Sequence, residues 1–142
     1  MAQAKELDTA YLKMAHIWAQ LSKARRKKVG CLIVKDGMII SDGFNGTPSS
    51  FENDCEEIIE GNLVTKKEVL HAESNAITKL AKSTQSSDGA TIYITCSPCV
   101  ECSKLIIQAS IKRLVFGEVY KNDYGLKLLQ KAGVPTSLIN VS

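Results

Sequence analysis

The sequence predicts one α/β domain in which a mixed β-sheet is covered by helices on both faces. Three observations carry this. The chain of 142 residues is long enough for one substantial core and too short for two. Apolar residues at 44% and charged residues at 23% are ordinary globular proportions. Segments with helical periodicity alternate with short β-branched runs in the order α-β-β-α-β-α-β-α-β, without repeats or an internal linker. Elements in that order bury their apolar faces best as helix layers on a sheet.

The elements follow in turn. Leu7, Tyr11, Met14, Trp18 and Leu21 recur at steps of three and four, which predicts a helix burying that face. Asp8 and Thr9 near its start and the basic cluster at 23–28 agree with the helix dipole. Residues 29–35 and 38–42 are strands joined across Asp36-Gly37, a strong two-residue hairpin signal. Residues 43–48, rich in Gly, Asn and Pro, form a loop. The 49–70 segment has poor periodicity and is expected to be a long excursion with at most a short helix around 56–59. A helix over 72–82, a polar turn at 83–89 and a strand over 91–95 come next. Ser97 caps a helix with Pro98 at its first position, running to about 109. Residues 113–116 form a strand, 123–132 a helix, and 134–139 a last strand after Gly133.

Composition excludes several classes. No apolar run reaches 18 residues and the first residues lack a signal-peptide core, so no membrane partner is expected. Five cysteines are an odd number, and Cys96, Cys99 and Cys102 crowd together. That suits a metal better than a disulfide framework and implies a reducing, cytoplasmic setting. A net charge of +3 says little about partners, since most of the excess sits at 23–28.

His71-Ala72-Glu73, followed by Pro98-Cys99-Val100-Glu101-Cys102, carries the chemistry. A histidine and two thiolates can hold Zn²⁺ and leave a fourth tetrahedral position for water. Cys99 and Cys102, three apart at a helix start, share a face, and the dipole there favours thiolates. His71 precedes the second helix and Glu73 lies in its first turn, so both can address a site over the helix end. Glu73 can then take a proton from water and pass it on. This H-x-E with a later P-C-x-x-C is the known signature of zinc-dependent nucleobase deaminases. Two other readings stand beside it. Cys96 can close a four-ligand knot, though that leaves Glu73 without a role; or the cysteines are buried and unmetallated. His16 reads as a surface residue of the first helix and Cys31 as core. Cys55 has too few histidine neighbours for a second zinc site.

The likeness extends past the metal motif. Arg26-Lys27-Lys28-Val29-Gly30-Cys31, Ile33-Val34-Lys35-Asp36, Gly43-Phe44-Asn45-Gly46-Thr47-Pro48, His71 through Ile77 and Ser97 through Cys102 together resemble the deoxycytidylate (dCMP) deaminase family over nearly the whole chain. The resemblance implies a three-layer αβα sandwich with a five-stranded mixed sheet of the cytidine deaminase type, spanning residues 1–142. It implies hydrolysis of dCMP to dUMP and ammonia, one zinc per chain, and a homo-oligomer, commonly a hexamer, activated by dCTP and inhibited by dTTP. By the same resemblance Asn45 meets the sugar, Ala72 and Glu73 read the base, and Arg26 with Ser49 binds phosphate. A guanidinium grips phosphate with two donors, a group a cytidine site does not need. Tyr120 or Tyr124 stands beside the substrate, Tyr120 being preferred. Gly43, Phe44, Asn45 and Gly46 resemble part of the regulatory nucleotide pocket, whose triphosphate would bring Mg²⁺. Phe44 stands where the family more often has Tyr, so that hydroxyl's bonds do not carry over.

Three rivals share features with this reading. A dCTP or dual dCMP/dCTP deaminase differs only in the depth of the phosphate site. A tRNA or single-stranded DNA deaminase shares the zinc motif. It would want exposed aromatics and an asparagine segment nearer His71, so no nucleic-acid partner is expected. A zinc-stabilised binding module would hold metal without releasing ammonia.

Overall fold

The computed structural model describes residues 3–141. Its main sheet has the order β2-β1-β5-β6-β7, formed by β1 (Gly30–Lys35), β2 (Met38–Phe44), β5 (Thr91–Ile94), β6 (Arg113–Phe116) and β7 (Thr136–Leu138). A separate hairpin of β3 (Glu56–Ile59) and β4 (Asn62–Thr65) lies outside it. The first two strands turn back on each other at Asp36-Gly37, where φ is +52° and +76°, as a tight hairpin turn requires. β1 pairs antiparallel with β5, whereas β5–β6 and β6–β7 are parallel. Each parallel step is a crossover through one helix, α3 (Val100–Gln108) and then α4 (Tyr124–Lys131).

Period-two alternation divides the core. Cys31, Ile33, Ile92, Ile94, Leu114 and Phe116 point to one face and pack on α2 (Ala72–Leu80), α3 and α4 through Ala72, Ala76, Ile106, Leu126 and Leu129. Leu32, Val34, Tyr93 and Val115 point to the other, covered by Leu12 and Ala15 of α1 (Ala4–Ala19). Three layers result, as expected of an α/β sandwich.

α1 corrects the sequence reading. Its buried face is Asp8, Leu12, Ala15 and Ala19, while Leu7, Met14 and Leu21 are exposed at 43%, 39% and 49%. Small residues win because helix and strand come very close: a Cβ on Gly30 would stand 2.0 Å from the Ala15 carbonyl oxygen. Asp8 is admitted because it is fully paired. Arg113 Nη1 donates to its Oδ1 at 2.9 Å, Arg113 Nη2 binds Oδ2, and the Tyr93 hydroxyl donates to Oδ1 at 2.6 Å. Tyr11 and Trp18 of the expected face lie at its flanks, Tyr11 against the Tyr93 ring and Trp18 donating to Asp42.

The excursion is also corrected. Residues 56–59 form a strand, paired with β4 across Glu60-Gly61, both at positive φ. Ile58, Ile59 and Leu63 face outward, so the alternation that marks a half-buried strand is missing from the sequence. The helix near Cys99 starts later than expected: Cys99 itself is the N-cap and Val100 the first helical residue. Ser97 caps nothing there; its hydroxyl accepts the Tyr120 amide at 2.9 Å. β2 runs on into the expected loop, through Gly43 and Phe44. Gly43 is a packing glycine, since a Cβ there would lie 2.4 Å from the Ala72 carbonyl oxygen.

Candidate active site

The N-termini of α2 and α3 converge beyond the end of β5. His71 is the N-cap of α2 and Cys99 the N-cap of α3, each with extended backbone, and Cys102 follows one turn on. His71 Nδ1 lies 3.2 Å from Cys102 Sγ and 3.6 Å from Cys99 Sγ, and all three ligand atoms fall within 4.8 Å of one another. A tetrahedral zinc with ordinary Zn–N and Zn–S bonds separates N from S by about 3.6 Å. The donor set therefore fits zinc, with three corners supplied. Neither Cys96 nor Glu73 joins this group among the described residues, so the four-ligand knot gains no support.

Electrostatics point the same way. The Cys99 thiol is pushed down to about 3, because Cys102 and His71 both hydrogen-bond its sulfur against the cost of burial. Cys102, the donor of that pair and buried, is pushed well up. His71 is raised by its bond to Cys99. A divalent cation would take the place of the two protons that now hold this thiolate. Glu73 is 3% exposed, and burial lifts its carboxyl to about 7. Burial likewise pushes the Cys96 thiol up to about 12.

A cavity of about 260 Å³ opens onto this cluster, near the lower end of small-ligand sites. The structure brings Arg26, Asn45, His71, Ala72, Glu73, Cys99 and Tyr120 to its wall. Ser49 is exposed and lies off the wall, as does Tyr124, which is 62% exposed. Ala72 is the first residue of α2, where an amide has no partner within the helix. Asn45 is engaged with the chain itself: its Oδ1 accepts from the Val29 amide at 2.9 Å and its Nδ2 donates to the Lys27 carbonyl at 2.8 Å. Gly46 pairs by both backbone groups with Leu70, the neighbour of His71. Phe44 offers its carbonyl to Asn75 at 2.8 Å.

Sequence reasoning missed Lys27, Glu56, Thr65, Lys121 and Asn122, which also line the cavity. Within the 23–28 cluster, read above only as a complement to the helix dipole, Lys27 is not free. It is instead paired with Glu118, and its ammonium stands 5.3 Å from the Tyr120 ring, with Lys121 at 5.4 Å. No motif signals any of these, because they meet across the fold rather than along the chain. His16 is half-buried beside Gly117, and burial lowers its pKa.

Two helix N-termini presenting His, Cys and Cys to one point, with a buried glutamate beside them, define a nucleobase-deaminase site. The chain belongs to the cytidine and deoxycytidylate deaminase family, matching that family's zinc-binding region over residues 5–118. It is 35% identical to the deoxycytidylate deaminase of Enterobacteria phage T4, covering 87% of this chain and 84% of the phage protein. It is 34% identical to ComE operon protein 2 of Bacillus subtilis, over 92% of this chain and 70% of that one. The crystal structure of dCMP deaminase from the cyanophage S-TIM5, in complex with dCMP and dUMP, superposes with a TM-score of 0.90 at 42% identity, covering 97% of this chain and 100% of that one.

Proposed function

We propose that this chain hydrolyses dCMP to dUMP and ammonia with one zinc ion held by His71, Cys99 and Cys102. The observation that carries the reading is the His71–Cys99–Cys102 cluster with Glu73 buried beside it, on a cavity whose wall also holds Arg26. When bound, zinc supplies Lewis-acid activation of the attacking water. Glu73 accepts one proton of that water and passes it to a ring nitrogen as the hydroxide oxygen adds at C4. It then takes the remaining proton of the new C4 hydroxyl and delivers it to the amine, which leaves as ammonia as the C4–N bond breaks and the C4 carbonyl forms. Its desolvated carboxyl suits both halves of this traffic, since a proton it takes up is readily given back. The Ala72 amide and Glu73 hold the base, Tyr120 flanks it, and Arg26 receives the phosphate. The Asn45 amide, still holding one donor and one acceptor free of the Lys27 and Val29 bonds, can meet the sugar.

Regulation belongs to the same reading. dCTP with Mg²⁺ activates and dTTP inhibits through the Gly43, Phe44, Asn45 and Gly46 segment of a homo-oligomer, a hexamer in form. Two contacts support a route inward. Asn45 clamps the backbone beside Arg26, and Gly46 is bonded to Leu70, next to His71. The exposed Leu7, Met14 and Ile17 of α1, with Leu21 just beyond its end, support association with further copies.

Ammonia release from dCMP, dCTP, CMP, deoxycytidine and cytosine, each with and without dCTP or dTTP, tests all of this. The expected result is strong preference for dCMP, sigmoidal in its absence of activator. Preference for dCTP would move the substrate to the triphosphate, and zinc binding without ammonia release would leave a binding module. Curves indifferent to both effectors would remove the regulatory part alone.

A further inference from the structure

Among the described residues the β3–β4 hairpin pairs with no other strand and supplies no residue to either core cluster. Its tip is apolar and exposed, with Ile58 at 72%. An isolated two-stranded hairpin has little stability of its own. Yet one of its rungs is polar, with a buried Glu56 and a half-buried Thr65. Glu56 and Thr65 stand directly opposite each other in the antiparallel register, so their side chains share a face. Both meet Arg26, at its two ends.

Glu56 is 2% exposed. Its Oε2 accepts the amides of Arg25 at 2.7 Å and Arg26 at 2.8 Å. Its Oε1 accepts no hydrogen bond, and Arg25 Nε lies 3.5 Å from it. Thr65 Oγ1 accepts from Arg26 Nη1 at 3.2 Å. Burying a carboxylate is costly unless charge-assisted bonds compensate. Here the compensation comes from two successive amides of the turn that carries Arg26. That turn is otherwise a run of basic residues after a helix end, with no regular structure of its own.

We infer that the Glu56–Thr65 rung is a positioning device: Glu56 fixes the backbone of Arg26, Thr65 fixes its guanidinium, and together they set the cavity's selectivity for a 5′-phosphorylated nucleotide over the bare nucleoside. This rests on the assignment of Arg26 to the phosphate. The rung holds Arg26 through neutral and anionic acceptors on one side, and leaves its remaining guanidinium donors for the ligand. Arg26 has no carboxylate within ion-pairing distance of its guanidinium among the described residues.

The test is the ratio of kcat/KM for dCMP to that for deoxycytidine, measured on zinc-loaded protein alongside zinc content and Tm. Glu56→Ala should lower the ratio roughly tenfold or more, chiefly through KM for dCMP, with zinc content unchanged. Glu56→Gln keeps one carbonyl oxygen for both amides and should stay within about threefold of wild type. Thr65→Val, on the accessible part of the hairpin, should lower the ratio by about threefold and carries the test if Glu56→Ala does not fold. In an Arg26→Ala background, Glu56→Ala should move the ratio no further. Equal losses on both substrates, or an unmoved ratio in Thr65→Val and Glu56→Ala while Arg26→Ala lowers it, would overturn the positioning role and leave the phosphate reading standing. An unmoved ratio in Arg26→Ala itself would overturn both.

Discussion

The metal end and the anion end of one cavity are built in opposite ways. At the metal end, the proposed ligands and proton carrier sit at the starts of two helices, α2 and α3, that are anchored in the larger core cluster. Each group is held by its own element. At the anion end, Arg26 lies in a turn without regular structure, and Glu56, Thr65 and Asn45 reach it from three other segments. On the proposed function, chemistry is thus carried by two core-packed helix ends, and recognition by a lattice of single hydrogen bonds. The first should respond to mutation all or none, and the second by degrees.

The largest expected effect breaks the metal end. Glu73→Gln should keep about one zinc per chain and lose ~10²–10⁴ or more in kcat, because two proton transfers depend on the same carboxylate. Near-normal turnover, measured as ammonia release, would remove Glu73 from the mechanism. At the anion end Arg26→Ala should cost roughly 1.5–3 kcal/mol, about ten- to hundredfold, in kcat/KM for dCMP and far less for deoxycytidine. Parallel losses on both substrates would return Arg26 to a role in folding.

A third effect sits away from both ends and calibrates them. Asp8→Asn weakens the bonds to Arg113 and Tyr93, and about 1.5–3 kcal/mol of stability should go with them, read as a fall in Tm with zinc content unchanged. Burial tends to raise the Asp8 carboxyl, but the Arg113 and Tyr93 bonds outweigh it and hold it below its usual value. A depressed carboxylate stabilises the fold above the unfolded-state pKa of about 3.9 and loses that contribution as pH falls through the folded value. The Asn variant should therefore lose less stability than wild type on acidification below about pH 4. A steeper acid loss in the variant would contradict the sign. The smallest effect is Cys96→Ser, which should leave zinc and turnover nearly intact. Loss of metal in that variant would restore the four-ligand knot.

How far each end could be read from the sequence follows from the same contrast. His71, Glu73, Cys99 and Cys102 lie in two short stretches whose spacing is itself the geometry, and the structure gathers the three ligand residues as the spacing implies. Only the cap shifted, from Ser97 to Cys99, since Ser97 is drawn off by the Tyr120 amide. Glu56 and Thr65 were illegible because a buried carboxylate looks like any surface glutamate until its partners are known. The apolar residues around them, Ile58, Ile59 and Leu63, point away from the core. α1 failed for a related reason. Periodicity favours the larger side chains, whereas close packing on Gly30 selected the alanine face and Asp8 with it.

The Asp8–Arg113 pair spans 105 residues of chain, which bears on how the molecule is made. α1 leaves the ribosome well before its anchoring guanidinium and the Val115 it covers. At ordinary synthesis rates the wait is on the order of 5–20 s. During it α1 has neither its ion pair nor its complete seat, so a segment made early docks late. Nascent chains halted before residue 113 should leave α1 open to protease, and chains released to full length should protect it. Early protection would mean that Leu12 and Ala15 settle on β1 and β5 without the distal anchor.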